Sequence, residues 1–537
     1  MAFAQLLGTT VILSLIVTIV EAIRRLYFHS LAHIPGPKLA ALTWWYEFYF
    51  DVIQPGQYVF KIQELHKQYG PIVRITPDEL HIQDVGFLDT VYAPSTSPRD
   101  KYEYQLRTLR IPGGVGTTAR YDLHRKRRAA LSPFFSKRNV LHLEPLINEK
   151  VEQLCQMIDK HAREQTPANL SDLLFAFSNE YSLNDIYICI KGLILSSVVT
   201  NFLFAHQVDV LSDETQAAVL RHNSCQLLMG ININKHLPWI PDFLESLPLS
   251  ISKPIMPPGL VDMHALFDRV RTELTSIMSA KSSEVSSEKF LGPRKKESVF
   301  ASVLDSAILP PPEKALLRLQ QEGSLSALAG TESPAQTLKI IFYHLLKNPA
   351  IIKKLRAELD TAQTSTSWAT LEHLPYLSAV IEEGNRLSFG VTARTARIAH
   401  EQLTYTPSSH VKSTINKGKS YKIPAGTPIS ITTLSAHTAE TVFPDPFVFD
   451  PERWLDDEGR ERRKYQMAFG KGGRICIGIE LARAELYLVT AALVTKFDMK
   501  LFETDESDVA FIYDYQVAML KIDSKGLRVI VENSTRV

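Results

Sequence analysis

Cysteine is scarce in this sequence of 537 residues. The four cysteines lie far apart and form no Cys-x-x-Cys pair: Cys155, Cys189, Cys225 and Cys476. Disulfide frameworks and structural zinc sites need cysteines that are more numerous or closely paired. The sequence therefore indicates a reducing compartment, and each cysteine needs its own explanation.

Excess charge, flexible linkers and dinucleotide-binding loops are also missing. Lys and Arg number 59 against 58 Asp and Glu, so the net charge is only +1. Such a balance gives no support for a nucleic-acid partner. No Pro/Gly/Ser-rich or charged linker divides the chain, which favours one large domain. No Gly-rich fingerprint follows a predicted strand, so a dinucleotide site is not expected.

The N-terminus carries the one long apolar run that resembles a membrane span. Residues 2–20 are uncharged and near the minimum length for crossing a bilayer. Cytoplasmic flanks are usually rich in Lys and Arg, so the body of the protein should face the cytosol. A cleaved signal peptide is the alternative, but its charged n-region is missing. We assign residues 1–25 to a membrane anchor, 26–38 to a flank with a Pro-rich hinge, and 39–537 to the catalytic domain. The charged residues after the run are Glu21, Arg24, Arg25 and Lys38.

The stretch from residue 469 to 478, Phe-Gly-Lys-Gly-Gly-Arg-Ile-Cys-Ile-Gly, is the strongest chemical signal. A cysteine thiolate can hold haem iron, and we interpret Cys476 as that metal ligand. Gly472 and Gly478 would let the backbone turn tightly against a flat macrocycle. Arg474 could pair with a haem propionate, and Phe469 would shield the sulfur from water. The alternative for Cys476 is a small, inert buried residue in a turn.

The spacing Phe-x-x-Gly-x-Arg-x-Cys-x-Gly resembles the cysteine-ligand loop of the cytochrome P450 family at all five positions. That resemblance extends over nearly the whole chain. It implies a mainly α single large domain with a small β portion, preceded by an N-terminal transmembrane helix. It also implies haem b as cofactor and mono-oxygenation as the reaction. The sequence is similar to filamentous-fungal members that act in secondary metabolism, which suggests a terpenoid or polyketide-derived substrate.

Two further segments would hold the haem propionates. His124 and Arg128 are four residues apart and would share one helix face. Taken alone, this basic helix is more often a solvated surface. The family typically has Trp-x-x-x-Arg here for haem propionates, and His124 departs from that pattern. Arg394 and Arg397 lie where the family places another propionate-binding arginine, and we choose Arg397.

The segment Ala329-Gly-Thr-Glu-Ser-Pro-Ala335 lies in a long helix predicted from about Glu313 to Lys347. Proline cannot donate to the preceding turn, so we expect the helix to kink or open at Pro334. Glu332 and Ser333 could then order water and relay protons for dioxygen activation. An ordinary kinked helix is the alternative. The segment resembles the family's Ala/Gly-Gly-x-Asp/Glu-Thr motif, in which Ser333 replaces the usual threonine.

Glu383, Arg386 and Arg453 have a structural interpretation. Glu383 and Arg386 are three residues apart on one predicted helix face, and most such pairs are exposed. Together with Arg453 they match the family's Glu-x-x-Arg and Pro-Glu-Arg pattern. The resemblance implies a buried ionic network behind the haem, with no catalytic role.

The predicted partners follow from the electron demand of this chemistry. No fused flavin domain fits in the chain, so the electrons should come from a separate NADPH-cytochrome P450 reductase, with cytochrome b5 as a second donor. The basic run Arg460 to Lys464 is either a solvated loop or the docking patch. The predicted location is the endoplasmic reticulum membrane, with a single-pass N-terminal anchor.

Two other functions are compatible with the same residues. One is a haem-thiolate isomerase or dehydratase that uses no reductase. The other is a non-catalytic haem protein that senses a ligand.

Overall fold

The computed structural model describes residues 2–178, 203, 213–286, 298–362, 367–416 and 418–534. Within this part of the chain, helices predominate. The α-helices are α1 (Ala2–Ile23), α2 (Lys38–Leu42), α3 (Trp45–Phe48), α4 (Tyr58–Tyr69), α5 (Leu88–Val91), α6 (Glu103–Leu106), α7 (Tyr121–Leu131), α8 (Lys137–Glu164), α9 (Leu170–Ser178), α10 (Glu214–His236), α11 (Trp239–Ser246), α12 (Leu249–Ser252), α13 (Pro258–Ser286), α14 (Val299–Asp305), α15 (Leu316–Lys347), α16 (Pro349–Thr361), α17 (Trp368–Leu371), α18 (Pro375–Ser388), α19 (Thr433–His437), α20 (Asp457–Arg462) and α21 (Ile479–Lys496).

The strands are short and gather into small sheets. The largest sheet has five strands in the order β1-β2-β8-β5-β3, and β2 and β8 form its parallel pair. A three-stranded sheet has the order β4-β12-β9, and two hairpins pair β6 with β7 and β10 with β11. The strands are β1 (Ile72–Arg74), β2 (Leu80–Ile82), β3 (Asp100–Lys101), β4 (Ala168–Asn169), β5 (Arg397–Ile398), β6 (Leu403–Tyr405), β7 (Tyr421–Ile423), β8 (Pro428–Ser430), β9 (Phe497–Leu501), β10 (Tyr513–Asp514), β11 (Ala518–Met519) and β12 (Arg528–Ser534).

Helix α15 runs through the largest hydrophobic core and organises it. It packs against α9, α13, α18 and α21, and its apolar side chains, such as Leu338 and Ile341, are fully buried. A second hydrophobic cluster lies under the five-stranded sheet. The predicted mainly α fold with a small β portion is confirmed.

The central helix begins slightly later than the sequence predicts. A 3-10 turn covers Pro311–Lys314, and Ala315 is extended, so α15 starts at Leu316. The helix continues through Pro334 without interruption. Because proline lacks an N–H, the carbonyl of Gly330 loses its intrahelical partner. The helix therefore stays continuous at Pro334, and the predicted opening is limited to the one backbone carbonyl that loses its hydrogen bond.

Among the described residues, one helix is long and apolar enough to cross a membrane. It comprises Gln5–Phe28, near the N-terminus, and none of it is buried against the protein. The last part of this segment, Arg24–Phe28, is a π-helical turn. This helix is the candidate for the predicted anchor.

Candidate active site

The Cys476 loop is closed by its own backbone. The Cys476 N–H donates to the carbonyl of Phe469 at 2.8 Å, and a 3-10 turn spans Gly472–Arg474. Helix α21 then begins at Ile479 with Gly478 as its N-cap. The loop thus places Cys476 just before a helix N-terminus.

The Cys476 thiol is accessible to solvent although protein surrounds it. Burial raises its pKa, while a hydrogen bond from the Gly478 backbone N–H and the charges of Arg128 and Lys101 act in the opposite direction. Both observations fit a thiol that faces an internal cavity wide enough to admit solvent. An N–H donor and nearby cations stabilise a thiolate, which is the form that binds metals.

The two loop glycines have different explanations. Gly472 has a φ of +71°, and a Cβ there would lie 2.1 Å from the Tyr92 carbonyl oxygen. Glycine is therefore required at this position. Gly478 has a φ of −88°, and a Cβ there would meet no protein atom within 4 Å. Gly478 lies in the turn before α21, but its φ is one that any residue can adopt, so the backbone there does not require glycine. The position opens onto free space beside the thiol.

Arg474 holds the polypeptide around the cavity. Its guanidinium donates to the carbonyl of Thr118 at 2.6 Å, of Ala119 at 2.5 Å and of Arg99 at 3.3 and 3.4 Å. Most of its five N–H donors are thereby used. Arg474 fixes the segment between β3 and α7, and little of its hydrogen-bonding capacity remains for a propionate.

Lys101 joins the predicted cations, and sequence reasoning missed it. Lys101 pairs in register with Arg397 across the antiparallel strands β3 and β5. Arg397 is buried over the Tyr92 ring, 5.0 Å from its centroid, and donates to the carbonyl of Thr395 at 2.6 Å. No local pattern marks Lys101, because only the pairing of two distant two-residue strands brings it here.

Helix α7 supplies the other two predicted residues. His124 is buried, and its Nδ1 has no hydrogen-bond partner among the described residues. Arg128, one turn later, donates to the carbonyl of Ile475 at 2.5 Å. Helix α7 therefore contacts the Cys476 loop directly.

These cationic groups destabilise one another. Burial and the charges of Arg474, Lys101, Arg128 and Arg397 lower the pKa of His124 to about 2. Burial and then the charge of Arg397 lower the pKa of Lys101 well below its usual value and that of Arg474 to about 10. Within the described chain, none of Lys101, Arg128, Arg397 and Arg474 forms an ion pair with a carboxylate. Buried cations need partners, so the cluster fits an anion such as the two propionates of haem b.

Arg394, the rejected alternative to Arg397, belongs to a different cluster. Its guanidinium forms ion pairs with Glu47 and, at 3.4 Å, with Glu79. Arg394 already has anionic partners, whereas Arg397 has none among the described residues. This difference favours Arg397 as the propionate-binding residue.

The middle of α15 contributes an acid and a hydroxyl. Ala329 and Ser333 are exposed although the helix runs through the core, so this face borders an internal space. Glu332 accepts a hydrogen bond from Ser224 of α10 at 2.6 Å, and burial raises its pKa. The Ser333 hydroxyl donates to the Ala329 carbonyl at 3.3 Å. The structure thus holds a carboxyl with a raised pKa and, at the following residue, an accessible hydroxyl.

The structure brings Glu383, Arg386 and Arg453 together. Arg386 donates to Glu383 at 2.7 and 2.8 Å, and Arg453 donates to it at 3.1 Å. Trp454 Nε1 adds a bond to Glu383 at 2.9 Å. Both Glu383 and Arg386 are fully buried. The arrangement has the geometry of a scaffold that fixes the segment after α19 against α18.

The basic run before the Cys476 loop is largely neutralised. Arg462 forms ion pairs with Asp456 and Glu458, and Lys464 pairs with Glu461. The run therefore presents less net positive charge than its sequence suggests.

Comparisons with known proteins agree with the resemblance. The family model described as Cytochrome P450 matches residues 35–521. The chain is 36% identical to the cytochrome P450 monooxygenase tpcC of Cochliobolus heterostrophus over 524 residues, covering 94% of this chain and 93% of the relative. It is 35% identical to the tryptophan 6-hydroxylase fscE of Fusarium equiseti, covering 95% and 94%. It is 33% identical to a cytochrome P450 monooxygenase of Trichoderma arundinaceum, covering 94% and 92%.

Proposed function

The chain belongs to the cytochrome P450 family, and from this premise we propose that it hydroxylates or epoxidises a hydrophobic small molecule with O2 and electrons from NADPH. The observation that carries the proposal is the hydrogen bond from Arg128 to the carbonyl of Ile475, which places the cation-bearing helix α7 against the Cys476 loop. A thiolate for the iron at the centre of the macrocycle and cations for the propionates on its edge are the two groups that hold a haem.

Each residue of the site would have a separate task. The Cys476 sulfur would hold the haem iron, with the Gly478 N–H stabilising its charge. Lys101, His124, Arg128 and Arg397 would bind the propionates, while Arg474 positions the polypeptide around them. Bound through a thiolate, haem b supplies the activation of O2.

Glu332 and Ser333 would supply protons. The Glu332 carboxyl holds its proton to higher pH than usual, because burial raises its pKa. Its bond from Ser224 fixes the carboxyl, and the Ser333 hydroxyl one residue later would pass the proton into the cavity. Ser333 must leave the Ala329 carbonyl to do so. A positioned donor that is resupplied in this way limits wasteful electron use.

The proposed location is the endoplasmic reticulum membrane, with residues 1–25 as anchor, 26–38 as flank and hinge, and 39–537 as a cytosolic catalytic domain. Support comes from the exposed apolar helix and from large apolar side chains elsewhere on the surface. An ion pair of Asp51 with Lys235 and a hydrogen bond between Asp51 and His236 Nε2 join the two segments that carry these side chains. The large exposed apolar side chains on these two segments are Trp45, Tyr49 and Ile53 on one and Trp239 and Phe243 on the other. Patches of this kind mark interaction surfaces.

The proposed electron donor is a separate NADPH-cytochrome P450 reductase, with cytochrome b5 as a second donor. Arg460 within the basic run is exposed, and so are Arg125 and Lys126 on α7, the helix that contacts the Cys476 loop. Exposed cations close to the thiol could steer an acidic partner.

The similarity to other fungal enzymes suggests the chemical class of the substrate. A role in fungal secondary metabolism, with a terpenoid or polyketide-derived substrate, follows the similarity to fungal monooxygenases. One relative is named a tryptophan 6-hydroxylase, so an indole compound is a second candidate class.

The test is reconstitution of the purified protein with a reductase, NADPH and ¹⁸O2. Terpenoid, polyketide and indole compounds would be screened for substrate-dependent product. Incorporation of one ¹⁸O atom, dependent on both NADPH and reductase, is expected. Product formed without NADPH would instead identify a reductase-independent isomerase or dehydratase. NADPH-independent ligand binding without any product would identify a sensor.

A further inference from the structure

A polar cavity lies beside the cation cluster. Lys101 and Arg397 line it, together with Asp51, Asn232, Asp514 and other polar residues. The volume is about 60 Å³, which is enough for a few water-sized groups. The cavity can therefore accept one polar end of a substrate whose remainder lies elsewhere.

Asp514 has a fixed carboxylate in this cavity. Its Oδ1 accepts hydrogen bonds from the Thr392 hydroxyl at 2.7 Å and from the Gln516 N–H at 3.2 Å. Its backbone is held by Gly56 at 2.9 Å and by Asn232 at 3.2 Å. The Oδ2 atom accepts no hydrogen bond from the described residues. Asp514 thus presents one free oxygen from a rigid position.

The nearby cations are already paired with other acids. Lys235 lies 2.6 Å from both Glu47 and Asp51, and Arg394 pairs with Glu47. No ion pair joins either cation to Asp514 within the described chain. Lys235 thereby binds two members of the one group of potential metal ligands found among the described residues, Glu47, Asp51 and His236. A metal would have to displace this ammonium group.

The charge balance leaves Asp514 without a counter-ion. Burial raises the pKa of Glu79 to about 7 and that of Asp514 to about 6. Lys235 and Arg394 are paired with Glu47 and Asp51. Lys101 and Arg397 line the same cavity, and in the holoenzyme the haem propionates would neutralise them.

We propose that Asp514 determines substrate specificity by binding a protonated amine of the substrate through its free Oδ2. The proposal rests on the proposed function, because it concerns the substrate of the same haem enzyme. It directs the search toward nitrogen-bearing substrates and away from plain terpenoids or polyketides. Pairing an ammonium group with the half-buried Asp514 carboxylate offsets part of the cost of removing both charges from water.

The test compares two probes of the same shape, tryptamine and 3-propylindole, which differ in a terminal ammonium or methyl group. Equilibrium dialysis would measure the affinity ratio of the two for the wild-type holoenzyme, Asp514→Asn and Asp514→Ala. Asp523→Asn is the matched control, since Asp523 is exposed and does not line the cavity. The reduced carbon monoxide spectrum would establish the state of the haem in every sample.

We expect wild type and Asp523→Asn to prefer tryptamine. Both Asp514 variants should lose about ten- to hundredfold of that preference, the size expected for a charge-assisted hydrogen bond. A wild type without the preference, or Asp514 variants that keep it, would overturn the proposal. A tryptamine-induced shift of the Soret band typical of nitrogen on the iron would also overturn it. Failure of the proposed function would be visible separately, as an abnormal carbon monoxide spectrum in all samples.

Discussion

Lys101 and Arg397 are direct partners across the antiparallel strands β3 and β5. Like charges directly opposite each other destabilise a sheet. Neither residue has a carboxylate partner in the described chain, and both contribute to the depressed pKa of His124. A protein tolerates such a pair when an anion binds between the two cations, and the haem propionates are the anions that the family provides.

Replacing Lys101 should therefore stabilise the haem-free protein and weaken its binding of haem. Lys101→Met removes the repulsion, so the free energy of unfolding of haem-free protein should rise by about 0.2–1 kcal/mol. Loss of a charge-assisted bond should weaken haem binding about tenfold or more. Chemical denaturation of haem-free protein and haem titration would measure the two effects. Lys126→Met, at an exposed position of α7, should change neither. Equal haem affinity in wild type and Lys101→Met would remove Lys101 from the site.

The two loop glycines give a contrasting pair of variants. Gly472→Ala places a Cβ against the Tyr92 carbonyl at a positive φ, and should destabilise even the haem-free protein by more than about 1–2 kcal/mol. Gly478→Ala should leave haem-free stability within about 1 kcal/mol of wild type. Its haem affinity should nevertheless fall, because the added methyl enters the space beside the thiol. Thermal denaturation with and without haem would separate the two effects. A Gly478→Ala protein that binds haem like wild type would show that the macrocycle does not reach this position.

Proton delivery should depend on pH through Glu332. Burial raises the pKa of its carboxyl, so the proton is held at low pH and lost as pH rises through that pKa. We expect the ratio of product formed to NADPH consumed to fall with rising pH in wild type. Glu332→Gln cannot donate a proton and should give a low ratio at every pH, with hydrogen peroxide as the main product. Ser333→Ala should lower the ratio, and Ser333→Thr, which restores the usual hydroxyl residue, should not. An unchanged pH profile in Glu332→Gln would contradict this role.

The buried network around Glu383 should matter for stability and little for chemistry. Glu383→Gln leaves Arg386 buried without a counter-charge and Arg453 with only the distant Asp450 at 4.0 Å, which should cost about 3–5 kcal/mol. Glu452→Gln breaks an exposed pair with Lys354 and should cost less than about 1 kcal/mol. Denaturant titration of both variants would measure the difference. Similar losses in the two variants would show that the buried network is not a scaffold.

Features carried by contiguous residues could be predicted from the sequence. The Cys476 loop occupies ten consecutive residues. The long central helix follows from its apolar period. It starts at Leu316, slightly later than expected, because Ala315 is extended. In these cases the local pattern and the tertiary structure favour the same conformation.

Features that depend on distant contacts could not be predicted. Lys101 reaches Arg397 only through sheet register, and Ser224 reaches Glu332 only through the packing of α10 on the site. Arg474 was expected to bind a propionate, but three backbone carbonyls take up most of its donors. A single sequence shows which groups can form hydrogen bonds, and the fold determines which partners they meet.

The carbon monoxide difference spectrum of reduced protein, compared between wild type and Cys476→Ser, tests the central claim most directly. Cys225→Ser is the matched control, since Cys225 lies on α10 and its thiol has a pKa raised by burial. We expect the strongly red-shifted Soret band of thiolate-ligated haem in wild type and in Cys225→Ser, and its loss in Cys476→Ser. A band typical of histidine-ligated haem in folded wild type, or a red-shifted band that survives in Cys476→Ser, would contradict the assignment of Cys476 as the haem ligand.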